Sequence, residues 1–141
     1  MKKLLYLSFC TIILASCAMK GAFAKKYNLP DKVSYSTGYQ QFVDEIEQES
    51  QGLESWSDYE PSNMMREKFS FVTLPNGEIG VEGFIQVVPM YFDASAFEQG
   101  NGGYLTFFSE GIYQYKLPVG NIKNVAWIRG VVQIDVIRKQ R

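Results

Sequence analysis

Histidine is absent from the 141-residue chain. That excludes a Ser-His-Asp triad. Cysteine is almost absent as well: Cys10 and Cys17 are the only two. Past residue 17 there is no thiol pair for a disulfide and no His/Cys set for a metal, so the folded part must hold by its core alone. Formal charge is −1, and losing Lys2 and Lys3 with a leader would bring it near −3. A nucleic-acid partner needs a basic excess, and this chain lacks one. No apolar run is long enough to cross a bilayer, which takes about 20 residues. Gly100-Asn101-Gly102-Gly103 is glycine-rich but does not follow a strand and open a helix, so it reads as a turn rather than a phosphate loop. These absences leave no recognisable catalytic set, and the expectation is a non-enzyme without metal or cofactor.

What is present begins with a sorting signal. Met1-Lys2-Lys3 supplies positive charge, and Leu4 to Ala15 is an apolar run of signal-peptide length. Leu14-Ala15-Ser16-Cys17 resembles a bacterial lipobox, which implies cleavage after residue 16 and lipidation of Cys17. Ala22-Phe23-Ala24 offers a competing small-x-small cleavage site. The lipobox reading places residues 1–16 in the signal and residues 17–36 in a flexible polar tether. It puts the protein in the bacterial cell envelope, held to a membrane by its lipid.

Residues 37–79 read as helix, loop and strand. Thr37-Gly38-Tyr39-Gln40 has capping-box spacing, and Tyr39, Phe42, Val43 and Ile46 repeat at helical intervals. Asp44, Glu45, Glu47 and Glu49 read as the solvated face of that helix. Ser50 to Asn63 is a loop whose Trp56 and Tyr59 are expected to fold back onto the core. Phe69 to Leu74 is a strand candidate followed by the turn Pro75-Asn76-Gly77.

Residues 80–141 then run strand, helix, hairpin, helix, strand. Val81–Val88 is the first strand, and Asp93 is the N-cap of a short helix. Tyr104–Ser109 and Ile112–Leu117 form a hairpin across Glu110-Gly111. Asn121–Ile128 is a second helix ended by Gly130, and Val131–Val136 is the last strand. This order resembles the inhibitor I9-like propeptide domain that precedes subtilisin-like serine proteases. The resemblance implies an α+β fold: a ferredoxin-like βαββαβ antiparallel sheet with two helices, here preceded by an N-terminal amphipathic helix and an extra strand. A hairpin of Phe69–Leu74 with Val81–Val88 would compete for one side of the central strand.

The resemblance also implies a partner, a subtilisin-like serine protease, and a binding segment. The tail Ile137, Arg138, Lys139, Gln140 and Arg141 would lie along the protease cleft as an added strand. Tyr113 and Tyr115, on one face of the hairpin, are candidate partner-binding aromatics, or else core. The expected function is a lipid-anchored propeptide-like protein that inhibits such a protease or assists its folding. The alternatives are a non-enzymatic envelope-binding lipoprotein and the remnant of a truncated protease precursor.

Overall fold

The structure, a computed structural model, describes residues 20–139. It is mixed α/β and built on one six-stranded, mostly antiparallel sheet. The elements are α1 (Lys20–Tyr27), β1 (Ser34–Tyr35), α2 (Thr37–Glu49), α3 (Asn63–Lys68), β2 (Phe71–Thr73), β3 (Ile79–Val87), α4 (Ala94–Asn101), β4 (Tyr104–Ser109), β5 (Ile112–Pro118) and β6 (Val131–Val136). Spatial order is β1-β6-β3-β5-β4, with β2 paired to β3 off that path. Only the β1–β6 pair is parallel.

The competition for β3 is settled by its length. Its first residues, Ile79 to Val81, pair with β2, and Gly83 to Val87 pair with β6. Both partners lie beside β3, and the exchange falls at Glu82. There the Glu82 N–H donates to Ser70 O (3.1 Å), the Ile137 N–H donates to Glu82 O (2.9 Å) and the Ser70 N–H donates to Ile137 O (3.2 Å). A boundary between residues 79 and 80 therefore cuts a strand, and the two sequence segments are one packed unit. A single cluster of buried side chains runs from Phe23 and Val33 through Tyr39, Phe42 and Ile46 to Ile85, Tyr115 and Ile134.

The tether reading is corrected from Lys20 onward. Phe23, Ala24, Leu29, Val33 and Tyr35 are all buried. Phe23 packs against the Tyr27, Tyr35 and Tyr39 rings at centroid distances of 5.1–5.9 Å. Fully burying a large apolar side chain is worth about 1.5–3 kcal/mol, which outweighs the polarity of the lysines between these residues. Long lysine stems leave their charge in water while the backbone packs.

Helix α2 is capped one residue earlier than its sequence suggests. Ser36 is the N-cap, with its Oγ accepting from the Tyr39 N–H (3.0 Å), and Gln40 Nε2 donates to Tyr35 O (2.9 Å). Its acidic residues are not merely solvated. Asp44 pairs with Lys26 and accepts from the Tyr27 hydroxyl, Glu45 pairs with Lys68, and Glu47 pairs with Lys123. Glu49 accepts from the Tyr59 hydroxyl (2.8 Å). Each exposed pair is worth well under about 1 kcal/mol, but together they fix where four other segments meet this helix. Tyr59 is buried as expected, while Trp56 is half-exposed against it. Helix α3, capped by Ser62, lies just beyond the segment read as loop.

The second helix of the C-terminal half is also corrected. Val119–Asn121 and Asn124–Trp127 are 3-10 turns, with i→i+3 bonds such as Ile122 N–H to Val119 O. The buried residues Val119, Ile122 and Val125 recur every three positions, the period of a 3-10 helix rather than 3.6. By contrast α4 has the expected Asp93 cap, and Gly102 ends it in the left-handed conformation (φ 66°).

Candidate functional site

Side chains alternate across β3, β5 and β6. One face carries Val81, Ile85, Tyr115, Leu117, Ile134 and Val136, all buried beneath α2 and the 3-10 turns. The opposite face carries Glu82, Phe84 and Gln86 from β3, Gln114 and Lys116 from β5, and Thr106 and Phe108 from β4. Phe84 and Phe108 meet edge to face at 5.4 Å. Lys116 lies 3.8 Å from Glu82, whose other oxygen accepts from Ser70 Oγ (2.5 Å). Phe84 and Phe108 are half-buried, with Gln86, Gln114 and the Glu82–Lys116 pair on the same face. Among the described residues no group of three or more His, Cys, Asp or Glu could hold a metal.

Of the two readings open for Tyr115, partner-binding aromatic or core, the structure places it in the core. It is fully buried, and its hydroxyl donates to Asp135 O (2.5 Å). Burial raises its pKa far above the ordinary phenol value, so it stays a neutral donor. Tyr113 is half-buried on the same inward side. It packs on Phe92 at 5.4 Å and on the edge residue Phe107 at 6.0 Å. The aromatics on the opposite face are Phe84, Phe108 and Tyr104, and Tyr104 is the most exposed of them. Alternation through Val81-Glu82-Gly83-Phe84 already held that signal for Phe84.

The tail is tied down. Beyond the Ile137 bonds at Glu82 and Ser70, Arg138 bridges antiparallel to Phe69, and the Lys139 N–H donates to Lys68 O (2.8 Å). Ile137 to Lys139 thus continue the sheet along Lys68–Ser70 instead of trailing as a free cleft-filling strand. Gln140, Arg141 and Cys17 lie outside the described residues.

Where the tail leaves β6, Asp135 forms a polar node with the start of α2. Ser36 Oγ donates to its carboxylate, the Val136 N–H donates to the same oxygen (2.9 Å), and Arg138 lies close by. Gly38 makes this approach possible, since a Cβ there would sit 3.1 Å from Asp135 Oδ1 and 3.3 Å from Arg138 Nε. Burial raises the Asp135 pKa, and the two hydrogen bonds and Arg138 only partly offset it. A carboxyl with a raised folded pKa binds its proton more tightly in the fold than in the unfolded chain. Its contribution to stability therefore falls as pH rises above about 4, the unfolded value, and through the raised folded one. Asp135→Asn keeps an acceptor for Ser36 and Val136. It is expected to flatten that pH slope and raise the urea midpoint at pH 7. A midpoint that drops at pH 7 would mean the charge itself is needed.

No protein-family model, curated protein or solved structure matches the chain.

Proposed function

We propose that this is a non-enzymatic, lipid-anchored protein of the bacterial envelope. Its β3-to-β6 unit is a propeptide-like module that binds a subtilisin-like serine protease. The observation that carries this reading is topological. The strand order β6-β3-β5-β4, with every neighbouring pair antiparallel, is compatible with a ferredoxin-like sheet in which 3-10 turns stand in place of the second helix, and this supports the reading. In the propeptide family the sheet face is what packs on the protease, and here that face presents Phe84, Phe108, Gln114 and the Glu82–Lys116 pair. A second observation supports anchoring at Cys17. Cleavage after Ala24 would remove Phe23 and Ala24, which are 6% and 0% exposed in the core, so processing ahead of Lys20 is the route that leaves the fold whole.

The test is titration of the purified chain against subtilisin-like proteases of its host, following binding and peptide hydrolysis. Phe84→Ala with Phe108→Ala should weaken binding by about 30-fold or more, the effect of losing one central anchor, with the thermal midpoint recorded alongside. An envelope-binding protein with a different partner is the second reading. It is favoured by the tail, whose main chain is already hydrogen-bonded from Ile137 to Lys139. If no host protease is bound or slowed, the protease reading fails and this one replaces it.

A further inference from the structure

Charge is strongly segregated along this chain. Between residues 20 and 32 stand Lys20, Lys25, Lys26 and Lys32 against Asp31 alone, for a balance of +3. From Val33 onward eight basic residues face fourteen acidic ones, for −6. The basic segment is not a loose tail. Phe23 and Ala24 pin α1 to the core, which turns Gly21, Ala22, Lys25 and Lys26 outward. Lys25 and Lys32 are exposed and make no ion pair with any described residue, whereas Lys26 is shared with Asp44. One helical turn before the lysines the outward residues are Gly21 and Ala22, too small to hold the helix off a flat surface. Lys123, beside the Tyr27 ring at 5.6 Å, is shared with Glu47 in the same way.

We infer that the outward, lysine-bearing face of α1, with the exposed Lys32 that follows it, docks on an anionic phospholipid surface. The occupant follows from the chain that precedes it. Cys17 is three residues before Lys20, a reach of about 11 Å at most. If Cys17 carries the lipid, α1 is held within roughly a Debye length of the headgroups. An acidic body of −6 is repelled by such a surface, so the +3 segment at the anchor is the part that can approach. This inference rests on the envelope-anchor reading for its geometry but not for its chemistry, because the lysines act without the lipid.

The experiment uses unacylated protein from residue 17 to 141 carrying Cys17→Ser. It is sedimented with vesicles of phosphatidylcholine containing phosphatidylglycerol, and with vesicles of phosphatidylcholine alone. Binding is expected only to the anionic vesicles and is lost in high salt. Each lysine near an anionic surface is worth about fivefold in partition, so Lys25→Gln with Lys32→Gln should lower it about 25-fold. Both side chains are exposed, so the thermal midpoint should not move. Equal binding to both vesicles, or an unchanged double variant, overturns the inference. Self-association that the double variant abolishes, in place of vesicle binding, would assign the lysines to the acidic body of a second copy and overturn it too. Mass spectrometry of the natural N-terminus tests the anchor separately. An unlipidated protein that still binds anionic vesicles sinks the anchor and leaves this face intact.

Discussion

Deleting Ile137 to Arg141 is expected to destabilise the protein by about 3–4 kcal/mol, a large share of a small domain's total stability. Three main-chain hydrogen bonds disappear, those of Ile137 with Glu82 and Ser70 and that of Lys139 with Lys68, each worth about 1 kcal/mol. The half-buried Ile137 side chain adds roughly another 1 kcal/mol. Deleting only Gln140 and Arg141 leaves all three of these bonds in place and should change stability by less than about 0.5 kcal/mol. Urea denaturation of the two truncations, with protease inhibition measured on the same samples, separates two roles for this segment. If the short deletion abolishes inhibition while the long one leaves the fold intact, the tail acts in a cleft and its pairing with Lys68–Ser70 is dispensable. If the long deletion melts the domain and the short one changes nothing, Ile137–Lys139 is structure, and a partner must be met through the sheet face.

Much of the C-terminal half is legible in the sequence because its signals are local. Gly111 with φ 77° ends β4 and starts β5 where expected, and Asp93 and Gly102 bracket α4. Val131–Val136 is a strand over the residues read as one. The misreadings involve contacts distant in sequence. Phe23 and Tyr35 look like parts of a polar tether until Tyr39 comes to lie against them. Alternation puts Tyr113 and Tyr115 on one face but does not reveal which face α2 covers, so it left both of their readings open. Ser36 rather than Thr37 caps α2, because the parallel β1–β6 pair sets Tyr35 beside Ile134 and so brings Ser36 to Asp135. The tail looked free because Lys68–Ser70, the segment that receives it, lies nearly seventy residues earlier.

The largest effect expected from a single atom is that of Gly83→Ala. Gly83 lies at the middle of β3, opposite Tyr115 on one side and Val136 on the other. A Cβ there would meet the Tyr115 hydroxyl oxygen at 2.1 Å, its Cζ at 2.3 Å and Asp135 O at 2.1 Å. None of the three can move aside at little cost. The ring is fully enclosed, and the carbonyl belongs to β6 and accepts from that same hydroxyl. One methyl group would thus push the β3–β6 pair apart and strand the Tyr115 hydroxyl. Overpacking of this kind costs about 1–3 kcal/mol even where neighbours can yield, and a buried donor left unpaired adds about 1–3 kcal/mol. The chain is therefore expected to unfold, or to lose most of its thermal transition. Tyr115→Phe alone removes the hydrogen bond without the clash and should cost about 1 kcal/mol. Combined with Gly83→Ala it removes the hydroxyl oxygen, one of the two atoms at 2.1 Å, so the double variant should recover part of the stability lost in the single one. A double variant no better than Gly83→Ala would mean that the atoms that remain, the ring carbon Cζ at 2.3 Å and the β6 carbonyl at 2.1 Å, forbid a side chain at this position without help from the hydroxyl.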